Sequence, residues 1–257
     1  MTKPSKVPIL FLGRRKVEPG WRGEGAPRPR EAAWPRARPG KSRNRTPAET
    51  GLTPQKELPT PGRALGLISF SILLASSIWF SGTAAAAELK KIWGLSEVQS
   101  SWLTISVQLG FILGTFLYAL LNLADIFKTR SVFFFSALLG AVFNAGFALI
   151  SGTLFEAVLF RFLTGIMLAG VYPVGMKLVA QWFRKKLGWR LGIMVGALTL
   201  GTAIPYLIFA LGRDFNWRHL MLLASLLSLA GGLIVKIGIP DGPYLTTSPR
   251  FDMRAAF

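Results

Sequence analysis

Residues 161–206 read RFLTGIMLAGVYPVGMKLVAQWFRKKLGWRLGIMVGALTLGTAIPY. The stretch is an apolar helix with one early arginine, a basic turn at Arg184, Lys185 and Lys186, and a second apolar helix built on small residues. Each run is long enough to cross a hydrocarbon layer of about 30 Å, and a short cationic turn between two such runs predicts a membrane hairpin whose turn faces the cytoplasm.

Composition extends this reading to the whole chain. Charged residues make up 16% of the 257, against about a quarter in an ordinary soluble domain. Apolar residues fall into six runs, at 64–87, 100–124, 131–150, 155–183, 191–211 and 219–239. The fold class expected is an all-α membrane protein with six transmembrane helices embedded in a lipid bilayer.

Residues 1–63 are different. They hold 15 Lys/Arg against 5 Asp/Glu, and 11 prolines and 7 glycines lie before Arg63, a composition too polar and too broken to bury a core. This segment reads as a disordered, basic cytoplasmic tail. Its one apolar patch, VPILFL at 7–12, is followed by arginines and not by a small-residue cleavage site, a poor match to a secretory signal. Residues 64–240 form the six-helix bundle, and 241–257 read as the start of a central cytoplasmic loop that is cut short.

The net charge of +18 does not signal a nucleic-acid partner, because no aromatic-interleaved basic fold follows the tail. It fits the excess of Lys and Arg on the cytoplasmic side of membrane proteins and places both termini inside. With no cysteine and a single histidine, His219, the chain has no thiol chemistry, no disulfide framework and no Cys/His metal site. Neither an enzyme nor a cofactor is expected.

Segments 88–99 and 212–218 are the expected outer loops, with Lys90, Lys91, Arg213 and Arg218; Lys128, Arg130, Arg184, Lys185, Lys186 and Arg190 mark the inner turns. An internal repeat supports the order. Runs two and three align with runs five and six at an offset of roughly 88, pairing Gly114-Thr115 with Gly201-Thr202, Asp125 with Asp214 and Ser136 with Ser225. Three spans separate the copies, and an odd number inverts topology, so the two triplets are inverted repeats about an in-plane axis.

These patterns resemble the N-terminal half of a major facilitator superfamily transporter. The inner-turn motif of that family, G-x-L-A-D-R-x-G-R-K, stands here as Leu121-Asn-Leu-Ala-Asp125-Ile-Phe-Lys128-Thr-Arg130, with both glycines and the first arginine replaced. Arg161 four residues before Gly165 resembles the family's span-four pattern. Gly192, Gly196, Gly201 and Pro205 resemble its span-five motif. SSIWFS, SSWLTISVQLGF and IPDGPYL are similar to a bacterial branch near nitrate/nitrite porters and cyanate-type permeases.

The resemblance implies a secondary transporter of the bacterial inner (plasma) membrane that moves a small solute by alternating access, with a proton as candidate coupling ion. It implies that spans one and four line the cavity, pointing to Ser77, Trp79, Ser81, Thr83, Arg161 and Tyr172, with Gln108 on span two. It also implies that spans two and five face a second six-helix half through Gly110, Gly114, Gly192, Gly196 and Gly201. That half, or a second copy, is the expected partner. The other reading is a truncated, transport-inactive fragment, or an interaction protein that pairs through these glycine faces.

Charges inside a bilayer are costly and mark function. Arg161, Lys177 and Lys236 lie within the runs, while Asp125, Glu156 and Asp214 stand only at run ends. Cations without buried counter-charges favour an anionic solute, and no proton-coupling carboxylate is visible. Each cation is also near enough to a run end to snorkel to the interface, and each Ser or Thr equally fits an interhelical hydrogen bond.

Overall fold

The computed structural model describes residues 59–211 and 216–245. Residues 1–58 of the basic tail, 212–215 with Arg213 and Asp214, and 246–257 lie outside the described residues, while the last tail residues, 61–63, already belong to the first helix. Among the described residues, six helical spans are long and apolar enough to cross a membrane. Span 1 is α1 (Pro61–Ala75), a 3₁₀ turn (Ser76–Ile78) and α2 (Ser81–Trp93). Span 2 is α3 (Glu97–Leu120), and a single turn, α4 (Leu123–Ile126), leads to span 3, α5 (Thr129–Ile150). Span 4 is α6 (Leu154–Leu168) followed by α7 (Tyr172–Trp182). Spans 5 and 6 are α8 (Leu187–Leu211) and α9 (Trp217–Gly238).

Local chemistry sets these boundaries and corrects several sequence expectations. The outer loop expected at 88–99 is helical as far as Trp93, and only 94–96 turn. Gly94 adopts φ +62 and closes α2, a left-handed stop that glycine takes without strain. Ser96 and Gln99 then form a reciprocal capping box that starts α3. Thr153 and Glu156 do the same for α6, and the Asn216 side chain accepts from the His219 amide to begin α9.

Span 2 ends at Leu120, not at 124. Asn122 takes φ +50, a conformation asparagine tolerates better than most residues, and so replaces the motif glycine as the turning residue. Pro173, inside the run 155–183, predicts a bend in span 4 just beyond Tyr172. The span breaks before that residue, at 169–171, because Pro173 offers no N–H and its ring crowds the carbonyl of Ala169. Proline then sits in the first turn of α7, where its fixed φ suits a helix start. Span 1, expected to be continuous, breaks at 76–80 without a proline.

Packing follows a two-fold rule. The tightest pairings are span 2 with 4, 3 with 6, 3 with 4, 1 with 6 and 1 with 5. Exchanging 1 with 4, 2 with 5 and 3 with 6 returns the same set: 2–4 becomes 5–1, 3–4 becomes 6–1, and 3–6 maps onto itself. The two broken helices, spans 1 and 4, also exchange. An inverted repeat of two three-span units accounts for this exchange.

Glycine makes the symmetric contacts possible. A methyl group on Gly110 would meet the Phe162 carbonyl at 2.0 Å, on Gly165 the Val107 carbonyl at 2.1 Å, and on Gly201 the Leu73 carbonyl at 2.1 Å. Gly114 is similarly closed off by Ile166. Gly110, Gly114 and Gly201 therefore pack inside this bundle, against spans 4 and 1, and not toward a second half. Helices associate through small residues because lipid gives apolar side chains no reason to leave it. Of the five glycines expected to face a second half, only Gly192 and Gly196 have open space beside them.

Gly165→Ala must push spans 2 and 4 apart against backbone, at about 1–3 kcal/mol. Gly66→Ala, where nothing lies within 4 Å, should be neutral or stabilising by up to about 1 kcal/mol. Unfolding of the purified protein in detergent, followed by tryptophan fluorescence, should show a lower midpoint for the first variant only.

Candidate functional site

The break in span 1 creates the principal polar problem of the bundle. The carbonyls of Ile78 and Trp79 stand where the helical ladder is interrupted, and an unpaired carbonyl in hydrocarbon costs several kcal/mol. Arg161 of α6 answers it. Its Nη1 donates to the Ile78 carbonyl at 2.9 Å and to Asn144 Oδ1 at 3.2 Å. Nη2 donates to the Trp79 carbonyl, and Nε to the Leu103 carbonyl at 3.3 Å. The side chain is fully buried. Gly82 makes the room: a methyl group there would lie 2.8 Å from Nε.

Asn144 carries the network onward. Its Oδ1 also accepts from Ser81 Oγ at 2.8 Å, and its Nδ2 donates to the Met221 carbonyl at 2.9 Å and to Ser225 Oγ at 3.0 Å. Ser77 Oγ donates to the Ala224 carbonyl at 3.0 Å. One guanidinium and one amide thus connect spans 1, 2, 3, 4 and 6. The planar fork of arginine suits this work, since it aims several donors at fixed directions from one charge.

The seven pathway candidates divide. Ser77, Ser81 and Arg161 are enclosed in the lock and present nothing to a cavity. Trp79 and Thr83 are half-buried and Gln108 is exposed. Thr83 and Thr104 share a hydrogen bond of 2.7 Å, and the Trp79 ring lies 4.7 Å from that of Phe111. Thr104, Gln108 and Phe111 follow helical steps of four and three, which put them on one face of α3. Steps of four, three and four from Arg161 through Gly165 and Leu168 to Tyr172 would place the tyrosine on the Arg161 face of a continuous helix. The break at 169–171 assigns it to α7, where it packs against the core that contains Ile72, Phe133 and Val174.

At the opposite end of span 4, the inner-turn residues are paired. Lys177 Nζ donates to Asp125 Oδ1 at 2.5 Å and to the Ala124 carbonyl at 2.7 Å. This corrects the expectation that Lys177 lacks a counter-charge. Arg130 faces Asp241 at 3.9 Å, Lys236 donates to Ser131 Oγ at 2.8 Å, and Lys128 is exposed. With Arg184, Lys185, Lys186 and Arg190, these residues make this the basic end of the bundle.

Sequence reading missed the role of Asn144. The signal was present, since it is the only strongly polar residue in the apolar run 131–150. Ser225 could have been found through its repeat partner Ser136, which bonds the Tyr118 hydroxyl at 2.8 Å. Nothing in the sequence marks the carbonyls of Ile78 and Trp79 as acceptors, because their exposure follows from the break.

A six-span bundle of apolar helices with exchange-related triplets, its broken first span held by a buried arginine, has the architecture of an inverted-repeat helical membrane protein. The chain belongs to the Major Facilitator Superfamily, whose family model matches residues 65–255. It is 30% identical over 177 residues to "Niacin transporter NiaP" of Acinetobacter baylyi, covering 64% of this chain and 37% of that protein. It is 27% identical over 204 residues to "Probable nitrate/nitrite antiporter NarK1" of Thermus thermophilus, covering 72% and 44%. Against "Inner membrane metabolite transport protein YdjE" of Escherichia coli the figures are 25% over 194 residues, 74% and 40%. The chain therefore spans less than half the length of each of these relatives.

Removing the guanidinium leaves the Trp79 carbonyl unpaired and the Ile78 carbonyl with Ser81 Oγ alone, and an unpaired buried acceptor costs about 1–3 kcal/mol. Arg161→Ala should lose several kcal/mol, and Arg161→Lys should recover little, because a point charge cannot reach both carbonyls and Asn144 together. Unfolding by sodium dodecyl sulfate, read by circular dichroism, checks both variants. Ser81→Ala and Asn144→Ala should be non-additive by about 0.5–3 kcal/mol in the same assay.

Proposed function

We propose that this chain acts as the N-terminal six-helix half of a secondary transporter that moves a small solute by alternating access with a second six-helix bundle. That bundle comes from further polypeptide or from a second copy. Gln108 carries the reading. It is the twelfth residue of the 24 in α3, at mid-membrane depth, and is exposed with no hydrogen bond in the structure. An amide turned toward lipid there would cost several kcal/mol, whereas one facing a wet cavity or a solute costs little. The Thr83–Thr104 pair and the Trp79–Phe111 rings adjoin it.

The solute we propose is a small anion. The support comes from the relatives, whose names specify niacin and nitrate/nitrite. It no longer comes from Arg161 or Lys177, whose charges are committed to the lock and to Asp125. The exposed mid-span groups on this half are uncharged, so an anion here would be held by amide and hydroxyl donors and aromatic ring edges. A coupling proton would use groups of the second bundle, since among the described residues no carboxylate lies at mid-span depth. The basic end and tail support an orientation with both termini cytoplasmic, in a bacterial inner membrane.

The open face at Gly192 and Gly196 supports a second reading, an inactive helix-pairing protein. Proteoliposome uptake of labelled nicotinate and nitrate, by this chain and by the same chain co-reconstituted with a matching C-terminal bundle, separates the two. Uptake in either preparation supports transport, and its absence in both supports pairing. Gln108→Ala should raise KM about 2- to 10-fold, the worth of one hydrogen bond, with an unchanged unfolding midpoint. Arg161→Ala should lower that midpoint.

A further inference from the structure

The basic end contains cations that the fold uses and cations that it leaves free. Two carboxylates are described there, Asp125 and Asp241, and both have partners in Lys177 and Arg130. The turn from α7 to α8 then places Arg184, Lys185, Lys186 and Arg190 within seven residues, with no carboxylate paired to them among the described residues. The arginines hold the turn. Arg184 lies 5.2 Å from the Tyr244 ring, while Arg190 lies 4.2 Å from the Phe183 ring and donates to the Lys185 carbonyl. Lys185 and Lys186 are exposed, and while their backbone carbonyls accept from Arg190, their ammonium groups make no hydrogen bond or ion pair.

Two further observations concern the same turn. Lys186 holds φ +51, a left-handed conformation disfavoured for a residue with a Cβ. Three residues on, Trp189 is 74% exposed at the mouth of an apolar span, the depth at which tryptophan sits between headgroups and hydrocarbon. One turn deeper, Ile193 is also exposed.

We propose that this turn binds the headgroup of an anionic phospholipid. Lys185 and Lys186 meet the phosphate, Trp189 rests at the glycerol level, and the acyl chain runs past Ile193. A soluble phosphate would match the lysines alone, and an acidic protein segment would leave the tryptophan in hydrocarbon without a role. A lipid is the one occupant with an anion above and hydrocarbon below. Its effect is to fix the depth of the span 4–5 hairpin, whose other arm carries Arg161.

The test is native mass spectrometry of the purified chain in detergent micelles doped with phosphatidylglycerol or phosphatidylcholine. The chain should retain phosphatidylglycerol preferentially. Lys185→Gln/Lys186→Gln should weaken retention roughly 30-fold, about a factor of five per lysine, and Lys185→Arg/Lys186→Arg should keep it with the same fold. Lys90→Gln/Lys91→Gln, equal in net charge but at the opposite end, should retain it fully. Equal retention of the two lipids, or equal loss in the two glutamine variants, overturns the site. Displacement of phosphatidylglycerol by inorganic phosphate alone would assign the lysines to a free anion and overturn the lipid.

Discussion

A helix broken inside hydrocarbon must have its backbone satisfied by something other than water. In this protein the break at 76–80 leaves the Ile78 and Trp79 carbonyls to Arg161, and much of the bundle is arranged to allow it. Gly82 vacates the space, Gly110 and Gly165 draw spans 2 and 4 close enough for Nε to reach Leu103, and Asn144 extends the contact to span 6. The charge is kept in the membrane without a carboxylate because several oriented dipoles replace its hydration.

The same arrangement changes what the arginine means. A buried cation in a membrane protein invites a functional assignment, and its position in span 4 suggested a cavity wall. Its geometry is that of a staple. On the function proposed above, the groups that would meet a solute are the neutral ones beside it, Gln108, Thr83 and Trp79. The lock and this wall share spans 1 and 2, so Trp79 serves both: its carbonyl is held by Arg161 and its ring stacks near Phe111.

Much of the fold was legible because apolar run length and helix period are properties of the chain itself. The six spans, the repeat that pairs Gly114 with Gly201 and the basic turns could all be read directly. Boundaries were legible where the sequence encodes a stop, as at Gly94 and Ser96, although their meaning was overlooked in favour of hydropathy. The partners of glycines were not legible. Gly110 and Gly192 look alike in sequence, yet one abuts a carbonyl and the other faces open space, and only the arrangement of neighbouring spans decides which. The pairing of Lys177 with Asp125 was hidden for the same reason, since 52 residues separate them.

At the end opposite the basic turns, the backbone amide of Trp217 donates to Glu88, 129 residues earlier, and the Trp217 ring meets Trp93 and Phe147. The last span therefore receives part of its cap from the first. The Trp217 N–H is one of the first-turn donors that a helix leaves without an internal partner, and a carboxylate of span 1 supplies its acceptor. Neither triplet can make this contact alone, because span 1 belongs to one and span 6 to the other.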